Sequence, residues 1–179
     1  NIAWETSLKR FKARARAADK EEDLRRLVRE VVIDLVEDNV MYCELRIGLK
    51  RMPTYRHYLS ILQTEIQRQC ELYPVVVKLL LSISRHKSID VANELIEIAI
   101  SGVNDQKSCV VGVELGGVPS AGSWDDFVRV FDKARRGGCP VSLHCGENAS
   151  AQEEAIQMIR WRPERLGHCI FLDSKGMEE

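Results

Sequence analysis

Five short apolar runs, each followed by a helix-patterned stretch, constrain this chain more than any other feature. They are Val40 to Leu45 (ending at Arg46), Val75 to Ile83, Val110 to Leu115, Val141 to His144, and Leu166 to Phe171. Each is too short for a stable helix and reads as a strand buried on both faces. The strand ends near Arg46, Ser84, Leu115, His144 and His168 are separated by 38, 31, 29 and 24 residues. A strand, a crossover helix and the return to a parallel strand take roughly 30 residues. Strict alternation of this kind predicts a parallel sheet covered by helices on both faces, or a barrel. In both, ligands sit at the carboxyl ends of the strands. Any chemistry should therefore lie at those five ends.

The intervening segments fit that plan. Leu24, Leu27, Val28, Val31, Val32, Leu35 and Val36 recur at helical spacing, and an Ala- and Arg-rich stretch from Leu8 to Ala18 could begin the helix earlier. Its basic residues read as a solvated face balanced by Asp19, Glu21, Glu22 and Asp23. Further helices are predicted from Thr54 to Leu72, from Ile89 to Ile100, and from Ser123 to the Gly137-Gly138 pair. Ser123 with Asp126, and Ser150 with Glu153, have the spacing of capping boxes, the second opening a helix that stops before Pro163. With 179 residues and no low-complexity linker, the chain reads as a single domain over 1–179.

Charge excludes several function classes. Lys and Arg total 26 against 27 acidic residues, so no basic excess draws the chain to nucleic acid or an anionic membrane. No apolar run approaches the roughly 20 residues that span a bilayer. Residues Asn1 to Lys20 are charged throughout, unlike a secretory signal. The expectation is a cytoplasmic protein with reduced thiols, most of its six cysteines buried. Asn1 is not Met and patterned sequence runs to Glu179, so the chain is expected to be a piece of something longer.

Three of the four histidines fall at strand ends: His86, His144 and His168. In Leu143-His144-Cys145-Gly146-Glu147, a histidine closing a strand can offer nitrogen to a metal. A glutamate three residues on, past a glycine that turns the backbone, can carry protons over the same ion. Zinc hydrolysis needs such a ligand and a non-ligand carboxylate. His168, one βα unit later, is placed to orient or deprotonate the attacking water. Two other chemistries compete: Cys145 as a thiol activated by His168, and a structural zinc cluster of Cys139, Cys145 and Cys169 with histidines. Both require Cys145 to share a side with His144, whereas adjacent strand residues face opposite ways. Neither GxGxxG nor GxxxxGK[ST] occurs, so Rossmann and P-loop nucleotide binding are unsupported, and the PCxxC of the zinc cytidine deaminases is absent.

Three segments, Val111-Gly112-Val113-Glu114-Leu115-Gly116-Gly117, Leu143-His144-Cys145-Gly146-Glu147 and Arg165-Leu166-Gly167-His168, resemble in order and spacing the adenosine/AMP deaminase superfamily. Within it the resemblance is to the N(6)-methyl-AMP deaminases. Tyr42 to Arg46 with Lys50-Arg51, and Lys78 to Arg85, extend it, so that it runs from about Val31 to Asp173. It implies a zinc-dependent (βα)8 TIM barrel, of which this chain covers about the second to sixth strands. The implied activity is hydrolytic removal of an amine from carbon 6 of a purine nucleotide or nucleoside, its small-molecule partner. Carried onto these residues, His144 would be a zinc ligand, Glu147 would protonate the ring nitrogen beside carbon 6, and His168 would assist the hydroxide. Gly117 would present its backbone to the purine, and Lys50 would approach a substrate phosphate, where a cation is apt.

The sequence departs from the family in four places. It contains no His-x-His pair, and it stops short of the last strand on which the family carries an Asp-Asp pair, the motifs that supply the remaining zinc ligands. Ser84 stands where the family has aspartate, and Val118 where it has an acidic residue after the Gly-Gly turn. A truncated or degenerate non-catalytic paralogue, serving as a binding or structural protein, is the alternative these departures leave. A different metal-dependent hydrolase on the same barrel is a third reading.

Overall fold

The computed structural model describes residues 19–172. Its elements are α1 (Glu21–Glu37), β1 (Tyr42–Ile47), α2 (Tyr55–Leu72), β2 (Val76–Ser84), α3 (Ile89–Val103), β3 (Val110–Gly116), α4 (Trp124–Arg136), β4 (Val141–Cys145), α5 (Gln152–Trp161) and β5 (Arg165–His168). Short 3-10 turns precede α4 and α5, at Pro119–Ala121 and Ala149–Ala151. The βα alternation is thus as expected, and the helical reading of Leu8 to Ala18 lies outside the described residues. No described helix is long and apolar enough to cross a membrane.

Contacts divide the described chain into two units, 19–43 with 50–77, and 44–49 with 78–172. In the first, α1 and α2 pack together. Helix α1 buries Leu24, Val28 and Val32, three positions on one helical face. Helix α2 starts at Thr54, whose hydroxyl accepts from the His57 amide at 3.1 Å, and buries Tyr58, Leu62 and Ile66. The almost fully buried Glu65 accepts from Gln69 at 2.8 Å and faces Arg25 and Arg29 at 3.7 and 3.6 Å.

The second unit carries most of the sheet, whose strand order is β1-β2-β3-β4-β5. The pairings of β2 with β3, β3 with β4 and β4 with β5 are parallel, in register Ile83↔Leu115, Leu115↔Leu143 and His144↔Gly167. This is the sequential order of a (βα)8-barrel segment. Along β2 the odd positions Val77, Leu79, Leu81 and Ile83 are buried, while Lys78, Ser82 and Ser84 are half-buried on the opposite face. Helices α3 and α4 pack on one another, α3 on β3, and α5 on β4, with Phe131, Ile96 and Leu95 deep between layers. Helix α4 has the expected capping box: Ser123 Oγ accepts from the Asp126 amide at 3.3 Å and Asp126 Oδ2 from the Ser123 amide at 3.1 Å.

Four local expectations need correction. The strand at Val40 to Leu45 is not buried: Tyr42 is exposed and no β1 residue is fully buried, because β1 lies at one edge of the sheet. The last strand stops at His168 rather than Phe171, because His168 and Cys169 both adopt left-handed backbone that leaves the extended ladder. No second capping box forms. Asn148 intervenes, its side chain accepting from the Ser150 amide at 3.1 Å and winding residues 149–151 into a 3-10 turn, so α5 begins without a side-chain cap. Of the six cysteines, only Cys139 and Cys145 are fully buried.

Candidate active site

Alternation along β4 determines which side chains can meet. Val141, Leu143 and Cys145 are buried, and Ser142 and His144 are half-buried on the other face. Cys145 Sγ points at the Ala155 carbonyl on α5, 3.5 Å away, and burial pushes its thiol up to about 12. A thiol so placed, on the face of β4 opposite His144 and its neighbour His168, is neither a nucleophile activated by His168 nor a co-ligand of His144. The cysteine cluster fails likewise, since Cys139, Cys145 and Cys169 form no metal-sized group among the described residues.

His144, Glu147 and His168 do come together. His144 Nδ1 lies 3.2 Å from His168 Nε2 and 4.0 Å from Glu147 Oε2, and Glu147 Oε2 lies 3.8 Å from His168 Nε2. The two rings meet edge to face, with centroids 4.7 Å apart. A left-handed turn at Gly146 (φ +59°) brings Glu147 back beside the imidazole it follows, as the glycine spacing suggested. His168 holds its own place at φ +66°, a conformation that non-glycine residues adopt at a cost. His86, the third strand-end histidine, is exposed and not part of this group.

On the far side of the His144 ring lies an ion pair with no place among the sequence-derived candidates. Glu114, 3% exposed near the end of β3, accepts from Arg46 Nη1 at 3.1 Å and meets His144 Nε2 at 3.2 Å. Arg46 Nη1 also contacts His144 Nε2. Burial alone would raise the Glu114 carboxyl pKa. Hydrogen bonds from His144 and Ser82, with the charges of His144 and Arg46, outweigh it and hold the carboxyl below its usual range. Glu114 and Arg46 thus both meet Nε2, and Nδ1, on the other edge of the ring, faces Glu147 and His168. The signal available beforehand was an acidic residue inside an otherwise apolar strand.

Gly117 follows β3 with φ +100°. A side-chain carbon there would meet the Arg85 amide nitrogen and Ser84 Oγ, each at 3.2 Å, so the position is closed to other residues on two counts. Lys50 falls in the first unit, where its ammonium donates to Asp19 at 2.8 Å.

Comparison with known proteins follows the same lines. The family model described as adenosine deaminase matches residues 1–174. The adenosine deaminase-like protein of Drosophila pseudoobscura is 36% identical over 152 residues, covering 83% of this chain and 44% of that protein. N6-methyl-AMP deaminase-L of Xenopus laevis is 29% identical over 170 residues, covering 93% of this chain and 49% of that protein. Arabidopsis ADAL, solved as a complex with GMP, superposes with a TM-score of 0.85 at 28% identity, over 95% of this chain and 52% of that one. The chain thus spans about half the length of the relatives it matches. With the family model matched from the first residue to the segment after β5, the chain belongs to the adenosine deaminase family.

Proposed function

We propose that this chain supplies the central portion of a hydrolase that removes an amine or alkylamine from carbon 6 of a purine nucleotide. The observation that carries the reading is the convergence of Glu147 and His168 on His144 at the ends of β4 and β5. The donor atoms form a triangle of 3.2, 3.8 and 4.0 Å. Imidazole nitrogen suits zinc, so His144 fits the ion, with Glu147 and His168 close by as non-ligands. His144 is the residue proposed to hold it. When bound, zinc would supply a Lewis acid that makes water acidic near neutral pH.

The chain's own groups account for the proton movements. Glu147 donates a proton to the ring nitrogen beside carbon 6, which draws electrons from that carbon. His168 accepts the proton released as water oxygen bonds to carbon 6. The carbon–nitrogen bond then breaks as His168 passes its proton to the departing amine, and the remaining hydroxyl proton returns to Glu147, leaving the 6-oxo purine. Gly117 presents bare backbone to the purine edge, where a side chain would collide with the ring. Lys50 is assigned to the substrate phosphate, which would have to draw its ammonium from Asp19. A purine monophosphate as substrate is supported by GMP in the complex of the Arabidopsis relative.

The test is turnover by the intact protein of 6-amino and 6-alkylamino purines, as 5′-monophosphates and as nucleosides, followed by ultraviolet absorbance. Deamination with a preference for monophosphates supports the reading. Inactivity on all of them, with zinc present and the protein folded, overturns it.

A further inference from the structure

The C-terminal ends of β2, β3 and β4 are joined by one ion pair, its arginine buried and its glutamate half-buried, that the chemistry above does not use. Arg85, 2% exposed just past β2, donates Nη1 and Nη2 to Glu154 Oε1 and Oε2 at 2.8 and 2.9 Å. Nη1 also donates to the Gly122 carbonyl at 2.6 Å, in the loop after β3. Glu154, in the first turn of α5, accepts in addition from the Trp124 amide that opens α4, at 2.6 Å. Arg85 also donates its backbone N–H to the Gly116 carbonyl at 2.9 Å, and a side chain on Gly117 would meet that same nitrogen. At the other end, Cys145 donates to the carbonyl of Ala155, the residue after Glu154. Gly117 is thus tied to the Arg85 side of the pair, and the His144–Glu147 turn to the Glu154 side.

We propose that Arg85 and Glu154 are positioning residues for deamination, clamping the Gly116–Gly122 loop to the start of α5 so that the Gly117 backbone and Glu147 keep one spacing. The inference rests on the deaminase reading. Stability does not account for the pair. Taking the Arg85 charge fully and the Glu154 charge partly out of water can cost as much as the pair returns, and packed apolar side chains often serve as well or better. Arg85 Nε is also buried with no hydrogen-bond partner, so even the pair's own donors are not all satisfied. The two parallel N–H···O bonds do supply something an apolar pair cannot, a fixed relative orientation of two backbones. Reaction rates are sensitive to that, since a displacement of about 1 Å can cost about a hundredfold.

The experiment compares the intact parent with Arg85→Met/Glu154→Leu, which removes both charges together, and with Arg85→Lys, which keeps the charge but not the fork. We expect the double variant to melt cooperatively and hold parental zinc, with kcat reduced tenfold or more and KM for the 5′-monophosphate within threefold. Arg85→Lys should show the same split with a smaller loss. Parental kcat in a folded double variant overturns the proposal. So does failure of both variants to fold where the parent folds, which would make the pair a structural prop. If the parent itself deaminates no 6-amino purine, the deaminase reading has failed, and amide exchange across residues 116–122 and 146–151 decides the clamp. Faster exchange in the variants supports it, and unchanged exchange overturns it.

Discussion

Replacing Glu147 with glutamine separates a chemical role from a structural one. Its carboxylate sits 3.8 Å from His168 Nε2 and 4.0 Å from His144 Nδ1, longer than hydrogen bonds, with its side chain 22% exposed. Partly exposed ion pairs of that length contribute about 0–1 kcal/mol. Glutamine keeps the shape, so stability should fall by no more than about 1 kcal/mol and zinc content should stay parental. It can still hydrogen-bond a ring nitrogen but cannot deliver the proton that makes carbon 6 electrophilic. General acid catalysis contributes roughly 10²- to 10⁴-fold, or about 3–5 kcal/mol of barrier. The expected result is therefore a kcat loss of at least two orders of magnitude at nearly constant denaturation midpoint and metal content. The assay pairs steady-state deamination with urea unfolding and elemental analysis on one preparation. Near-normal turnover would reduce Glu147 to a structural carboxylate. Loss of activity together with loss of zinc or of fold would equally refute the reasoning.

Other substitutions probe the remaining assignments. His144→Ala should lose metal and activity together by elemental analysis and assay, and retained equimolar zinc would exclude it as a required ligand. Lys50→Ala should raise KM for a purine 5′-monophosphate about tenfold while leaving nucleoside kinetics unchanged, since one charge-assisted hydrogen bond is worth roughly 1.5–3 kcal/mol. Equal effects on both substrates would free Lys50 from the phosphate. Gly117→Ala should cost about 1–3 kcal/mol in denaturant titration, from its φ of +100° and the two 3.2 Å approaches. A variant as stable as the parent would contradict that. Burial pushes the Cys139 and Cys145 thiols up to about 12, so at pH 8 the thiolate fraction of each is about 10⁻⁴. Both should resist iodoacetamide in the native protein and react once it is unfolded, as mass spectrometry of alkylated peptides would show.

Local pattern carried the architecture. The five strand ends, the Ser123–Asp126 box and the outward turn of Cys145 follow from periodicity and spacing, signals that lie within a few residues of one another. His144 and Glu147 were legible for the same reason, being three residues apart across a glycine. Pairings over long separations left no such trace. Arg46 and Glu114 are 68 residues apart, and Arg85 and Glu154 are 69 apart. Each of the four stood in view at a strand end or a helix start, yet a lone charge at such a site does not name its partner. The misread cap shows the opposite limit: Ser150 and Glu153 have the right spacing, but the side chain of Asn148 competes for the Ser150 amide and wins.

The 69 residues between Arg85 and Glu154 also bear on synthesis. At about 5–20 residues per second, a ribosome adds Glu154 roughly 3–14 s after Arg85. Throughout that interval β2, α3, β3 and α4 can emerge and pair, but the guanidinium that will be sealed behind them has no carboxylate to meet. Burying it early would trap an uncompensated charge, so the nascent sheet has to leave this end solvated until α5 arrives. The clamp therefore closes among the last contacts of this portion of the chain.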